Sequence, residues 1–176
     1  PAPSERVLSI PTSLLDQLGR FQGITKTWKR LAKRLLDLKQ CCYHNRLDAE
    51  GNDSYKQILT YGMVVRGKEV LSFKRGTYNL TEEYLRGSLC IGLGGHVTSD
   101  DYDLFHMDDL GVKANFAREL GEELTLPRAD EQRLSNGEGV ELIGMLNDDS
   151  SPVGRRHLAF LFRYDVSDDP HWDNPT

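Results

Sequence analysis

Residues 117–126 read ARELGEELTL and place three carboxylates, Glu119, Glu122 and Glu123, next to Arg118. On a helix with about 100° per residue, these glutamates lie within an arc of roughly 100°. Like charges three and four residues apart repel each other by about 0.2–0.5 kcal/mol. A divalent cation would reverse the sign of that interaction, and carboxylate oxygens suit Mg²⁺ or Mn²⁺. The alternative interpretation is an ordinary solvated helix face.

The helix that must position these carboxylates is predicted over residues 110–124, with Asp108 or Asp109 as its N-cap. Its apolar residues form a stripe beside the acidic arc: Val112, Phe116, Leu120 and Leu124. Desolvation at the edge of a core makes repulsion between carboxylates more costly. Gly121 costs the helix about 1 kcal/mol relative to alanine, which indicates close approach by another group.

A glycine-rich turn precedes this helix. Residues 88–97, SLCIGLGGHV, are apolar enough for a buried strand and contain the pair Gly94 and Gly95, where the backbone can bend sharply. The turn, an acidic loop and the R-E-x-x-E-E helix together resemble the Nudix box: a glycine, five residues, a glutamate, seven residues, then R-E-apolar-x-E-E-x-G-apolar. Gly95 matches the first glycine, and the second half is matched by Arg118, Glu119, Leu120, Glu122, Glu123 and Leu126.

The chain departs from that pattern in three places. Asp101 stands where the pattern has a glutamate, and Thr125 stands where it has a late glycine. Sixteen residues separate Asp101 from Arg118 instead of seven, so we interpret residues 102–110 as an insertion. The acid that steadies Arg118 is therefore open among Asp101, Asp103, Asp108 and Asp109, and Asp101 keeps the motif's distance from Gly95.

The insertion carries three large apolar residues, Leu104, Phe105 and Met107. Such residues are not expected in a segment that is merely solvated. They are predicted to pack against the domain or against a second protomer, so a homodimer is one arrangement that the sequence allows.

The resemblance implies an α/β fold, a Nudix-like α/β/α sandwich with a mixed β-sheet. It covers residues 54–166 well, and residues 1–50 are predicted to be an N-terminal helical extension with a basic amphipathic helix over residues 25–40. A length of 176 residues fits one domain. The opening Pro1 and the polar end suggest a piece of a longer chain.

The resemblance also implies divalent-metal-dependent hydrolysis of a diphosphate bond in a nucleoside-diphosphate-linked substrate. Glu119, Glu122 and Glu123, with the Gly94 carbonyl, would hold Mg²⁺ or Mn²⁺, and Arg118 would orient the carboxylates. The general base stays open among Glu119, Asp148 and Asp149.

Further residues are candidates for contact with the substrate. Gly95, Arg75 and Arg155 are the predicted substrate-binding residues, and each arginine has ordinary surface charge as its alternative. His96 and His157 are either acid–base groups or structural histidines. The competing function is a sensing or regulatory module that binds a nucleotide metabolite with little or no turnover.

Composition limits the classes of partner. The net charge of −5 argues against a general affinity for nucleic acid, and no apolar run is long enough to span a membrane. The three cysteines lack metal-binding spacing, and reduced thiols fit a cytoplasmic protein. The expected partner is a small nucleotide-type molecule.

Overall fold

The computed structural model describes residues 5–74, 87–103 and 108–173. The described strands are β1 Arg6–Pro11, β2 Gly23–Thr25, β3 Cys42–Asn45, β4 Tyr55–Arg66, β5 Glu69–Val70, β6 Phe73–Lys74, β7 Leu89–Cys90, β8 Val140–Asn147 and β9 His157–Asp165. The described helices are α1 Thr12–Gly19, α2 Trp28–Leu35, α3 Arg46–Ala49, α4 Val112–Glu123, α5 Arg128–Ser135 and α6 Pro152–Arg155, with 3-10 helices at Ser99–Asp101 and Pro170–Asp173.

The main sheet has the strand order β2-β8-β9-β4-β1-β3, and β5 pairs with β4. Its centre is the parallel pair β4 and β9, in register from Gln57 opposite His157 to Val65 opposite Asp165. The other pairs in this sheet are antiparallel, so the predicted mixed sheet is confirmed. The first 50 residues supply β1, β2 and β3 as well as helices, and they are therefore part of the sheet.

Residues 93–98 form a wedge between β1 and β4. The two strands pair only near Ser9 and Gln57, and beyond that point each bonds to the wedge instead. The Leu8 N–H donates to the Val97 carbonyl at 2.7 Å, and the Val97 N–H donates to the Ile58 carbonyl at 3.0 Å. The wedge thereby satisfies backbone groups that the diverging strands leave unpaired.

The prediction of a buried strand over residues 88–97 is wrong. The segment contains only the two-residue strand β7, and Leu89 is 67% exposed. Gly94 has φ +153°, and a Cβ there would lie 2.0 Å from the Thr60 carbonyl oxygen. A strand cannot continue through this bend, because the chain passes too close to β4 to carry a side chain at that position.

Helix α4 packs on the centre of the sheet. The Phe116 ring stacks on the Phe162 ring of β9 with their centroids 4.9 Å apart. A Cβ on Gly62 of β4 would lie 2.4 Å from the Phe116 ring, so this glycine makes room for the aromatic side chain. Full burial of such a side chain stabilises the fold by about 1.5–3 kcal/mol. A helix is present where residues 110–124 predict one, as Val112–Glu123. Its N-cap is Gly111, without a capping side chain, so the predicted cap by Asp108 or Asp109 is wrong, although the Asp109 carboxylate accepts from the Lys113 N–H at 2.9 Å.

Helix α2 is shorter than the helix predicted over residues 25–40. Thr25 belongs to β2, and Leu36 leaves the helical conformation with ψ +57°. The Asp37 carboxylate then accepts from the Lys39 N–H at 2.9 Å, which closes a turn instead of another helical turn. The apolar stripe of the helix therefore ends at the buried Leu35, and Leu38 is exposed.

Two further findings concern the described residues as a whole. The cysteines Cys41, Cys42 and Cys90 are free. None of the helices in the described ranges has the length and apolar character needed to cross a membrane.

A buried carboxylate holds the C-terminal segment to the sheet. Asp130 of α5 accepts hydrogen bonds from the Tyr164 hydroxyl, the Ser167 backbone and hydroxyl, and the Trp172 indole. Burial by itself raises the pKa of Asp130, but the hydrogen bonds from Ser167, Tyr164 and Trp172 outweigh it and lower the pKa below its ordinary value. The ionised form is therefore the one that the fold stabilises.

We expect Asp130→Asn to lower the free energy of unfolding by about 2–4 kcal/mol. The buried amide NH₂ group of the asparagine would then face the groups that donate to the native carboxylate. Urea titration followed by tryptophan fluorescence measures this change. Because the folded-state pKa is lowered, the loss should be full at neutral pH and shrink as the pH falls through that pKa. Glu131→Gln on the same helix is the matched control, and an equal effect of both substitutions would contradict the assignment.

Candidate active site

Asp101 and Arg118 form an ion pair at the N-terminal side of the acidic helix face. Arg118 Nε lies 2.8 Å from Asp101 Oδ1, and Arg118 Nη2 lies 3.3 Å from Oδ2. The Asp101 side chain is 2% exposed, whereas Arg118 is 37% exposed. The hydrogen bonds that Arg118 donates to the Asp101 carboxylate raise the pKa of Arg118 further. Among the acids left open by the sequence, Asp101 is the one in contact with Arg118.

A capping box brings Asp101 to this position. The Asp101 carboxylate accepts from the Thr98 N–H at 2.8 Å, while the Thr98 hydroxyl accepts from the Asp100 N–H at 3.3 Å. These bonds fix the 3-10 helix that follows the wedge. The Asp101 carboxylate is therefore held at the end of the wedge by the Thr98 backbone.

Asn115 joins four parts of the site. This side chain is fully buried, donates to the His96 carbonyl at 2.8 Å and to Asp101 Oδ2 at 2.9 Å, and accepts from the Thr60 hydroxyl at 2.5 Å. Strand β4, the wedge, the 3-10 helix and α4 are thus tied to one amide group. Sequence reasoning missed this residue, because the motif lies on both sides of it and only the fold brings its partners together.

Arg118 also binds two of the three glutamates. Its Nη2 lies 3.0 Å from Glu119 Oε1, and its Nη1 lies 2.9 Å from Glu122 Oε1. Glu119 is 14% exposed and Glu122 is 59% exposed. Burial raises the pKa of Glu119, and this outweighs the lowering by Arg118. The protein alone therefore disfavours the charged form of Glu119.

The third glutamate faces a cavity of about 780 Å³ beside the wedge. Its lining includes Gly94, Gly95 and His96 of the wedge, Glu123 of α4, and Tyr61 and Lys74 of the neighbouring strands. A Cβ on Gly95 would lie 2.5 Å from Glu119 Oε1, so the Glu119 carboxylate occupies the space that this glycine leaves. The glycine pair and the acidic helix therefore meet at one edge of the cavity.

The oxygen atoms at this edge of the cavity are of the type that binds a hard cation. Three carboxylates stand on one helix face, and the described residues make no hydrogen bond to the Gly94 carbonyl. Within the described ranges, no three His, Cys, Asp or Glu side chains converge closely enough to form a metal site as they stand. Arg118 holds Glu119 and Glu122, so these two side chains would have to turn from the guanidinium toward a cation.

His96, which lines the cavity, forms a pair with His157 of β9. Their Nε2 atoms lie 3.2 Å apart, and His157 Nδ1 lies 2.7 Å from the Val153 carbonyl oxygen. A carbonyl can only accept, so His157 donates from Nδ1 and its neutral ring accepts from His96 at Nε2. Burial lowers the pKa of both histidines, that of His96 to about 3. Their arrangement is that of a neutral hydrogen-bonded pair.

The other predicted site residues lie elsewhere. Asp149 Oδ2 accepts from Arg20 at 2.9 Å, and Asp148 Oδ1 accepts from Gln22 at 2.6 Å, so both contact the N-terminal segment. Neither belongs to the lining of the cavity. Arg155 lies 3.5 Å from a carboxylate oxygen of Asp53, in the turn that precedes β4.

Some predictions fall on segments that the structure does not describe. Arg75 lies outside the described residues. So do Leu104, Phe105 and Met107, on which the predicted packing of the insertion depends.

One solved structure resembles this chain over most of its length. Tm1382, described as a candidate Nudix hydrolase, has a TM-score of 0.66 and 24% sequence identity, and the alignment covers 92% of this chain and 76% of that one. No protein-family model matches this chain, and no curated protein sequence matches it. The similarity shows a Nudix-like fold, as the resemblance of the sequence implies.

We expect Asp101→Asn to lower the free energy of unfolding by about 1–3 kcal/mol, because the amide would place donors against the Thr98 N–H and the guanidinium. Chemical denaturation measures the change. The matched control is Asp100→Asn, which removes the same charge from an exposed neighbour in the same 3-10 helix. A smaller loss for Asp101→Asn than for Asp100→Asn would contradict this account of the ion pair.

A second expectation concerns Glu119 without metal. Because its folded-state pKa is raised, its contribution to stability is present below the unfolded pKa of about 4.3 and is lost as the pH rises through the folded value. Glu119→Gln should therefore be as stable as the native chain or more stable at pH 7 in EDTA. Thermal unfolding across this pH range tests it, and a large fall in melting temperature would show a structural role for the carboxylate.

Proposed function

We propose that this chain is a Nudix-type hydrolase that cleaves a diphosphate bond in a nucleoside-diphosphate-linked substrate with Mg²⁺ or Mn²⁺. The observation that carries the proposal is the meeting of the acidic face of α4 with the glycine pair at the edge of one cavity. Glu123, Gly94 and Gly95 line that cavity, and Glu119 lies against Gly95. The free cysteines support a cytoplasmic setting.

The residues that would hold the cation are Glu119, Glu122, Glu123 and the Gly94 carbonyl. A hard divalent ion supplies neutralisation of the diphosphate charge and lowers the pKa of a coordinated water. Arg118, fixed by Asp101, positions Glu119 and Glu122 and does not touch the substrate in this proposal.

The remaining cavity wall offers groups for the two halves of a nucleotide-type substrate. Lys74 brings a positive charge to the lining, which suits a phosphate group. The Tyr61 ring packs over Gly92, where a Cβ would lie 2.0 Å from a ring atom, and it is 37% exposed. Tyr61 and Phe73 supply aromatic surface for a planar base. Gly95 would allow close approach of the substrate to the backbone.

Glu119 is the best placed of the three candidate general bases. A carboxylate whose pKa is raised by burial is suited to accept a proton near neutral pH. The hydrogen bonds of Asp149 with Lys56, Asn147 and Arg20 outweigh its burial and hold its pKa below the ordinary value. Such a group is a weaker base. Glu119 in turn lies against Gly95, which belongs to the cavity lining, whereas Asp149 is bonded to Lys56, Asn147 and Arg20.

One observation favours the alternative of a sensing module with little turnover. Arg118 contacts both Glu119 and Glu122, so the acidic face is partly neutralised without any metal. A chain that binds a nucleotide metabolite but keeps this arrangement would not complete a cation site. Turnover in the presence of Mg²⁺ separates the two functions.

We expect release of mononucleotide or phosphate from a panel of dinucleoside polyphosphates and nucleotide sugars with Mg²⁺. Glu122→Gln and Glu123→Gln should each lower kcat by about 100-fold, equal to roughly 2.7 kcal/mol of transition-state stabilisation. The control is Glu131→Gln, which removes a carboxylate from the neighbouring helix α5 and should keep native turnover.

Manganese soaking of crystals locates the cation independently of turnover. Anomalous peaks beside Glu119, Glu122 and Glu123 are expected. Peaks only elsewhere would contradict the metal site, and binding of nucleotide without release of product from any substrate would support the sensing module.

A further inference from the structure

A second cavity lies between the end of α1, strand β2 and helix α2. Its volume is about 420 Å³, within the range of small-molecule sites. Its lining combines two arginines, two threonines and apolar side chains: Arg30, Arg34, Thr25, Thr27, Leu18 and Phe21. It shares no lining residue with the cavity of the candidate active site.

The two arginines offer positive charge to this cavity. Arg30 and Arg34 stand one helical turn apart and therefore on one face of α2. Neither forms an ion pair with a carboxylate of the described residues. Their guanidinium donors are free to bind an anion, and two such forks match the oxygens of a phosphate group.

The surrounding charges reinforce this preference. Four lysines lie on or beside the same helix, Lys26, Lys29, Lys33 and Lys39, against the single acid Asp37, although the whole chain carries a net charge of −5. A local excess of positive charge on an acidic protein attracts anions to this one place.

The threonines add a hydrogen-bond donor. Thr25 Oγ1 and Thr27 Oγ1 lie 3.0 Å apart, and the Thr27 N–H donates to Thr25 Oγ1. One hydroxyl hydrogen is used between the two oxygens, so the other remains available to a ligand. This donor lies in the lining that also holds the two arginines.

The cavity also has an apolar part in its lining. Leu18, Phe21 and Leu31 are half-buried, so they are not part of the closed core. An inorganic anion alone would leave this surface exposed to water. A ligand with an apolar or planar body joined to phosphate would cover it and meet the arginines at the same time.

We propose that this cavity binds a phosphorylated small organic molecule, with its phosphate on Arg30 and Arg34 and its planar or apolar body on Leu18, Phe21 and Leu31. The site is separate from the proposed hydrolytic one but close to it in the fold. Ile24 of β2 pairs with Leu146 of β8, and Leu146 lines the active-site cavity.

Isothermal titration with ADP in EDTA tests the proposal, because no divalent cation is then present to load the acidic site. We compare the native chain with Arg30→Gln/Arg34→Gln and with Lys29→Gln/Lys33→Gln. Both double variants remove two positive charges from α2, but neither lysine lines the cavity. The arginine variant should bind ADP at least about tenfold more weakly, whereas the lysine variant should change affinity less than about twofold.

Two further arms sharpen the test. Adenosine lacks the phosphates, so the native chain should bind it more weakly than ADP. The two double variants should bind adenosine with equal affinity. The measurement is binding in EDTA and not turnover, so failure of the proposed hydrolysis would leave this result unchanged. The single variants Arg30→Gln and Arg34→Gln give the same comparison with a smaller change in charge.

Three results would overturn the proposal. The first is no measurable binding of ADP by the native chain in EDTA. The second is unchanged affinity in the arginine variant, which would place ADP elsewhere. The third is an equal loss in both double variants, which would show a diffuse basic surface suited to a polyanion and not a defined site.

Discussion

The wedge of residues 93–98 between β1 and β4 is the constraint on which the candidate active site depends. Once the two strands diverge, their backbone groups need new partners, and the wedge supplies them through bonds such as Thr60 N–H to the Gly95 carbonyl at 2.9 Å. The glycine pair is thereby fixed against β4. Asn115 then ties the acidic helix to the wedge, so the position of the carboxylates follows from the hydrogen bonding of the sheet.

Asp101 takes the place of the longer glutamate that the motif has, because the local backbone brings the Asp101 carboxylate close to Arg118. Asp101 has one methylene fewer than glutamate, but the 3-10 helix capped by Thr98 carries its carboxylate to Arg118. Burying this charge is costly unless every lone pair finds a donor, and Thr98, Asn115 and Arg118 provide them. The ion pair therefore forms although sixteen residues separate Asp101 from Arg118 in the sequence.

Sequence reasoning succeeded where the determining interactions are local. The helix over residues 110–124 follows from the spacing of its apolar residues, and α4 lies within that range. Asp101 is one of four candidate partners of Arg118 in the sequence, and its distance from the first glycine of the motif is what favours it. Sequence reasoning failed for the wedge, because an irregular segment takes its conformation from strands distant in the sequence. It also missed the side-chain bond between Gln22 and Asp148, which joins residues 126 positions apart. No pattern in the sequence records such a pairing.

An arginine suits position 118 because several carboxylates surround it. Three carboxylates, Asp101, Glu119 and Glu122, contact this one guanidinium, and its five donors in a rigid fork can serve all of them, whereas a lysine has three donors at one point. One positive charge does not balance three negative ones, and the pKa of Glu119 is raised accordingly by its burial and by Glu122. Arg118 thus lets the helix fold without a cation while leaving a surplus of negative charge. That surplus is what a divalent ion at the cavity edge would neutralise.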